Sequence, residues 1–303
     1  MAAYITANDF FKEKFGCKII KIPINGGFTC PNRDGSKGVG GCIFCSEKGS
    51  GDFLCPPDTP IPEQFDRMRE IMHKKWKNGK YMIYFQSFTN TYAPIEKLRK
   101  MFTQAASLEN VVGLSIATRP DCVTEDLLPL LSKLSKKLYV TVELGLQTSN
   151  EKTAEYINRC YFNDDFKKAM ELLNKINIDV VCHIIFGLPE ETETDMINSV
   201  KYAAENGIKG IKIQLLHILK GTKLGEIYEK KPFKVLTLDE YSSLVAAAIS
   251  VLPKDIVIHR ITGDGPKKIL IEPKWSANKK LVLNTINKKL SLQSAKILQG
   301  GKK

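Results

Sequence analysis

The stretch NGGFTCPNRDGSKGVGGCIFC occupies residues 25–45, directly after an apolar run, CKIIKIPI, at 17–24. It holds Cys30, Cys42 and Cys45 in a C-x11-C-x2-C spacing among six glycines, two asparagines and one proline. Such a composition lets the backbone turn tightly and present three sulfurs to one side. Three is an informative number. A closed structural zinc site wants four nitrogen or sulfur ligands, and Cys55, ten residues on, is the available fourth. A 4Fe-4S cluster held by only three thiolates leaves one iron open to an outside ligand. The spacing alone admits both readings.

Outward from this loop the chain alternates. Apolar runs recur at 17–24, 81–86, 111–118, 138–147, 178–187 and 208–219, six in all. Their nearly continuous Val/Ile/Leu character, rather than strict alternation, predicts parallel strands covered on both faces. Between them, amphipathic stretches at 61–77, 95–106, 124–135, 150–156, 164–175 and 193–205 predict crossover helices. Thr124 ahead of Glu125 and Asp126, and Thr192 with Asp195 three residues later, read as N-caps. Strand followed by helix, six times, fits a doubly wound sheet or an incomplete barrel. In a barrel, a loop after the first strand lies on the active-site face. After Gly221 the rhythm breaks into a helix at 238–252, a short strand at 256–259, a TGDGP loop and a basic helix at 278–290. The expected organisation is an α/β barrel unit over 1–220 and a small basic α+β extension over 221–303.

The chain has 303 residues, 43% of them apolar and 26% charged, which excludes a mainly disordered state. Lys and Arg outnumber Asp and Glu by 45 to 33. Residues 252–303 carry eleven Lys and one Arg against Asp255, Asp264 and Glu272, so +9 of the net +12 lies there. A polyanion such as nucleic acid is a natural partner for that surface, and a merely solvated lysine-rich face is the plain alternative. The first residues show no basic segment followed by an apolar core, and the longest apolar patch, LVAAAISVL at 244–252, is about half of the roughly 18 residues a membrane span needs. Eight cysteines without a visible export signal point to a reducing, cytoplasmic setting and no membrane partner.

The three cysteines with Phe44 before the last, set in a strand-helix rhythm, resemble the radical S-adenosylmethionine (SAM) enzymes. Within them the chain is similar to the YhcC/YtqA-like family, related to the elongator catalytic-subunit (Elp3-like) group. The resemblance is carried by the cysteine loop together with YFQSFTNTY at 84–92, IATRPDCV at 116–123, ELGLQT at 143–148, HIIFGLPEET at 183–192, LLHILKGTKL at 215–224 and HRITGDGPK at 259–267. It implies an incomplete (β/α)6 barrel of the TIM type. A 4Fe-4S cluster would be bound by Cys30, Cys42 and Cys45, with the amino and carboxylate groups of S-adenosylmethionine on the fourth iron. Reductive cleavage would yield a 5′-deoxyadenosyl radical that takes hydrogen from the substrate, the electron coming from a low-potential donor such as flavodoxin or ferredoxin.

At the strand ends, Phe44, Gln86, Ser87, Thr89, Thr118 and Gln147 are the expected cofactor contacts. Arg159 is a candidate for the methionine carboxylate and His183 for the ribose hydroxyls. Arg159 read plainly is a solvated helix residue, Gln147 a partner for strand-end backbone, and His183 a core histidine. Two departures stand out. The Gly-Gly-Glu segment that many radical enzymes carry after the second strand is absent, and Arg159, Cys160 and Tyr161 replace a common Arg-Gly-His. The resemblance further implies tRNA as substrate, with conversion of a carboxymethylaminomethyl group at C5 of the wobble uridine to aminomethyl. Arg260, Lys267, Lys268, Lys274, Lys279 and Lys280 would grip the phosphates, and Trp275 would stack on a base or anchor the extension. A radical enzyme acting on a small molecule or peptide, and a zinc-stabilised RNA-binding protein without catalysis, are the other readings.

Overall fold

In the computed structural model, residues 4–49, 51, 54–263 and 265–300 are described, the last seven by backbone alone. Seven strands form one curled, wholly parallel sheet in the order of the chain: β1 (Ile19–Ile24), β2 (Lys80–Phe85), β3 (Val111–Thr118), β4 (Tyr139–Gln147), β5 (Asp179–Phe186), β6 (Gly210–Leu215) and, after a short β7 (Ile218–Leu219) outside the sheet, β8 (Val257–Arg260). This is an incomplete barrel. Its crossovers are α2 (Ile61–His73), α3 (Ile95–Ala106), α4 (Leu128–Ser135), α5 (Glu151–Tyr156), α6 (Asn163–Lys175) and α7 (Glu193–Glu205). The outward strand residues are buried under these helices, Ile83 and Val142 against Phe65, Phe102, Phe166 and their neighbours. Burying one such side chain contributes about 1.5–3 kcal/mol.

Four features depart from the sequence pattern. The strand read at 256–259 as part of the extension is the seventh barrel strand, pairing in parallel with β6. Its few apolar residues gave no sign of a partner, because a four-residue edge strand has too little pattern to reveal one. The run at 208–219 is not one strand. It breaks at Leu216 and His217, and β7 pairs antiparallel with β9 (Leu270–Glu272). The Thr192 capping box forms, but Thr124 makes no side-chain cap, since a 3-10 turn at Glu125–Leu127 precedes α4. Finally, α1 (Ala7–Phe15) was not anticipated. It closes the lower, N-terminal end of the barrel, placing the Phe11 ring 6.1 Å from that of Tyr139 and 5.9 Å from His259.

Beyond β7, a short helix α8 (Lys223–Lys230) lies at the mouth, and α9 (Leu238–Val251) covers β6 and β8 from outside. The Tyr241 hydroxyl on α9 meets the carbonyls of Ile213 (3.3 Å) and Ile261 (3.1 Å). The basic helix runs further than expected, as α10 (Lys279–Gly300), and seats Val282, Ile286 and Leu290 against the core at fourfold spacing. Among the described residues no helix is long and apolar enough to cross a membrane.

Candidate radical site and nucleic-acid interface

The cysteine loop lies over the C-terminal ends of the strands. It is held there by Ile43 N–H to Ile157 C=O (3.0 Å) and Leu224 N–H to Ile43 C=O (2.8 Å). Ile43 and Phe44 pack on a separate apolar cluster at the mouth, made of Ile157, Ile185, Leu188, Leu216, Ile218 and Leu224. Within the loop, Arg33 donates to the Ser46 carbonyl (2.6 Å), and Asn158 reaches in from beyond α5 to the Gly41 carbonyl (2.8 Å). Gly38 is required, because a Cβ there would lie 2.3 Å from Asn32 Oδ1 and 2.9 Å from Cys160 Sγ.

The three thiols feel one another. Burial, with Cys45 and Cys30 adding to it, pushes Cys42 up to about 12, while the nearby Arg119 guanidinium acts the other way. None of the eight cysteines forms a disulfide among the described residues. Among the described residues no three His, Cys, Asp or Glu side chains already form a group that could hold a metal ion. What suits the loop to a metal is therefore its donor set and the shared locality of its sulfurs, with the metal itself completing the arrangement.

The strand-end candidates surround this loop to different degrees. Ser87 is buried at the end of β2, and its Oγ has no partner among the described residues. Thr89 is buried and donates its N–H to the Thr29 carbonyl beside Cys30 (3.2 Å). Gln86 is half-buried after β2, and Phe44 sits over the apolar cluster. Gln147 ends β4 with a φ of 66°, a left-handed conformation uncommon for a side-chain-bearing residue. The Thr118 hydroxyl is shared with Thr91 (2.6 Å), which also donates to the Cys122 carbonyl (2.6 Å), so Thr118 is tied into the β3 end.

Arg159 is where the structure differs most from expectation. It lies in the turn after α5, fully buried, neither solvated nor turned to the mouth. Its guanidinium donates to the carbonyls of Tyr161 (2.9 Å), Leu146 (2.9 Å) and Thr148 (2.7 Å), and to Glu151 (3.2 Å) and Asn163 (3.3 Å). Every N–H is directed at a protein oxygen, so the side chain serves as a clamp on the β4 end. The arginine that does face the cysteines is Arg119, of the TRPD segment. It pairs in bidentate fashion with Asp121 (2.9 Å twice), donates to the carbonyls of Arg159 and Cys160 (3.0 Å each), and acts on Cys30 and Cys42 electrostatically. The sequence signal for it was the TRPD motif itself.

His183 does not project to the mouth. On β5 it points into the lumen, where its Nε2 meets Glu143 Oε2 at 2.6 Å. Burial first, then Lys212, pull its pKa down to about 4, so at neutral pH the neutral ring donates from Nε2 and accepts at Nδ1. Glu143 also accepts from Lys21 (2.9 Å), from Ser115 (2.6 Å) and from Lys212. This lumen network was missed, although Lys21, Glu143 and Lys212 each interrupt an apolar strand.

Of the basic candidates, Lys267, Lys268, Lys274, Lys279 and Lys280 are exposed. Lys267, Lys268 and Lys279 line one cavity of about 750 Å³ with Gly263, Gly265 and Ser276. His217 stacks its ring into the space beside both glycines and meets Ser276 Oγ at 3.1 Å, which explains why side chains are absent there. Arg260 is not on this face. It ends β8 in register with Lys212 and acts on the lumen groups. Trp275 anchors the extension, donating to the Leu236 carbonyl (3.1 Å) and packing 5.8 Å from the Tyr241 ring.

Residues 27–221 match the model of the Radical SAM superfamily, and residues 208–291 match the Radical_SAM C-terminal domain. The chain belongs to the radical SAM superfamily. It is 47% identical over 287 residues to YtqA of Bacillus subtilis (strain 168), covering 95% of this chain and 89% of that protein, which places this radical SAM enzyme in the YhcC/YtqA-like group. A tRNA uridine(34) acetyltransferase of Methanocaldococcus jannaschii is 27% identical over 164 residues, 53% of this chain and 30% of that one. Among solved structures, the archaeal Methanocaldococcus infernus Elp3 superimposes with a TM-score of 0.66 at 19% identity, over 89% of this chain and 63% of that chain. That likeness shows the shared radical SAM fold.

Proposed function

We propose that this radical SAM enzyme modifies tRNA, converting a carboxymethylaminomethyl group at C5 of the wobble uridine to aminomethyl; S-adenosylmethionine would serve as the two-electron oxidant and water would release the two-carbon acid as glyoxylate. The observation that carries this reading is the pairing of a three-cysteine loop at the barrel mouth with a lysine-lined cavity on the adjoining C-terminal segment. The name of the acetyltransferase relative, a tRNA uridine(34) enzyme, points to the same class of substrate.

Cys30, Cys42 and Cys45 would hold a 4Fe-4S cluster in this reading, with S-adenosylmethionine as its partner. When bound, the pair supplies a 5′-deoxyadenosyl radical able to abstract hydrogen from a carbon next to the reacting bond. The chain's own residues bind, orient and exclude water. Phe44 and the apolar cluster beneath it keep the mouth dry. Ser87 Oγ and Thr89 offer polar atoms after β2, where Gln86 also lies, Gln147 stands at the end of β4, and Arg119 holds positive charge against the sulfurs. Lys267, Lys268, Lys274, Lys279 and Lys280 neutralise backbone phosphates while the wobble base, already in a single-stranded loop, enters the mouth at small unstacking cost. A reduced flavodoxin or ferredoxin supplies the electron, in the reducing cytoplasm that eight cysteines without a disulfide suit.

The test is mass spectrometry of nucleosides from bulk tRNA of a strain lacking this protein. Accumulation of the carboxymethylaminomethyl nucleoside with loss of aminomethyl-derived ones is expected. An unchanged nucleoside profile would overturn the substrate assignment.

A further inference from the structure

The lumen of the half-barrel holds more positive than negative charge. Lys21 on β1, Lys212 on β6 and His183 on β5 converge on one carboxylate, that of Glu143 on β4. Oε1 accepts from Lys21 and Ser115, while Oε2 accepts from His183 and Lys212. Lys212 also donates to the Tyr84 hydroxyl (3.2 Å). Among the described residues the groups that act on this layer are Lys21, Tyr84, Ser115, His183, Lys212, His259 and Arg260, with Glu143 as the one acid. Two ammonium groups therefore share a single carboxylate.

An unbalanced charge in a low-dielectric interior costs several kcal/mol and does nothing for the fold. Apolar residues of the same size would pack the layer more stably. The layer is nevertheless reached by solvent, with side-chain exposures of 26% for Lys21, 15% for His183 and 10% for Lys212. Below it, the Phe11 ring of α1 lies 6.0 Å from the Lys21 ammonium, and the side toward the cysteine loop is taken as the entry. The register lines up His183 with Lys212 and Lys212 with Arg260, a row of nitrogen donors across three adjacent strands.

We propose that this layer is a receptor for a carboxylate of the substrate, held between Lys21 and Lys212, with Glu143 fixing both ammonium groups in place. The inference deepens the function proposed above and rests on it: the carboxymethylaminomethyl group ends in such a carboxylate. Anchoring the acid deep in the lumen presents the carbons nearer the uridine to the mouth. His183, kept neutral, gives its Nε2–H to Glu143 and so helps to fix that carboxylate without adding charge.

The experiment uses the full chain with its cluster and S-adenosylmethionine, and two anticodon stem-loop RNAs. They differ only at the wobble C5 substituent, carboxymethylaminomethyl or its uncharged carboxamide. The acid is expected to bind about tenfold tighter, roughly 1.4 kcal/mol. Lys212→Met should erase that preference, leave the carboxamide affinity unchanged and hold or raise the melting temperature, because it removes the surplus charge. Lys21→Met should act in the same direction. Equal affinity for the two RNAs in the unaltered enzyme would overturn the receptor, as would a Lys212→Met variant that keeps the preference or loses S-adenosylmethionine binding instead. If neither RNA binds better than an unrelated stem-loop, the RNA assignment fails, and thermal shifts with N-acetylglycine against N-acetylglycinamide decide the receptor. A rise confined to the acid and lost in Lys212→Met supports it, and equal responses sink it.

Discussion

The Arg119 guanidinium lies 4.6 Å from the centroid of the Tyr161 ring, and Arg159 lies 4.5 Å from the same centroid. Arg119 thus joins the loop after β3 to the turn after α5, and does so beside Cys30 and Cys42. The Tyr161 hydroxyl donates to the Gly145 carbonyl and completes the clamp on β4.

Arg159→Met should destabilise the protein by about 3–5 kcal/mol, because the Leu146, Thr148 and Tyr161 carbonyls lose their donor inside the core. A fall in melting temperature of roughly 10 °C is the expected reading for a chain of this size. S-adenosylmethionine affinity, measured well below that temperature, should hold. A selective loss of affinity with unchanged melting would return Arg159 to the cofactor.

Cys160 sits at φ 57°, in the left-handed region where an L side chain is strained by about 1–2 kcal/mol. Among the described residues its thiol makes one weak hydrogen bond, to Asn158 Oδ1 at 3.2 Å. Cys160→Gly should therefore raise the denaturant midpoint, by an amount near 1 kcal/mol. A lowered midpoint would mean that the thiol packs more tightly than its contacts indicate.

Acid should weaken the lumen first. His183 has a folded pKa near 4 against an unfolded value of 6.5, so the fold prefers the neutral ring. Stability from this group is complete above pH 6.5 and is lost as pH falls towards 4, by about 3 kcal/mol at most. Glu143, held well below the usual carboxylate range by Lys21 and Lys212 despite its burial, acts in the same direction. Melting temperature followed between pH 7 and 4.5 should fall more steeply for the unaltered protein than for His183→Gln.

Cys42→Ala should abolish iron and labile sulfide after anaerobic reconstitution while leaving the far-ultraviolet circular dichroism unchanged, since the loop's backbone ties run through Ile43, Arg33 and Asn158. Full cluster loading in the variant would remove Cys42 from the ligand set.

Reversing Lys279 and Lys280 to Glu should weaken RNA binding and flatten its salt dependence, each lost phosphate contact lowering the logarithmic slope by about 0.7–0.9. Cluster content should be untouched. Unchanged binding would move the RNA to another face.

The amino-acid sequence alone was enough for the strand-helix rhythm, the parallel sheet and the cysteine loop. Those depend on local pattern: continuous Val/Ile/Leu runs, caps such as Thr192, and glycines packed between thiols. Only the closing of the sheet decided the rest. Lys21, Glu143 and Lys212 are 122 and 69 residues apart along the chain and look like isolated polar interruptions, yet they meet because inward positions of curled neighbouring strands converge. Arg159 reads as a partner for the methionine carboxylate, or plainly as a solvated charge, until the turn after α5 folds it under the end of β4, where backbone carbonyls take up its donors. Val257–Arg260 becomes a barrel strand only because the β6 edge is left open to it. Local periodicity records which face of an element is buried; it carries no information on which distant polar groups that burial brings together.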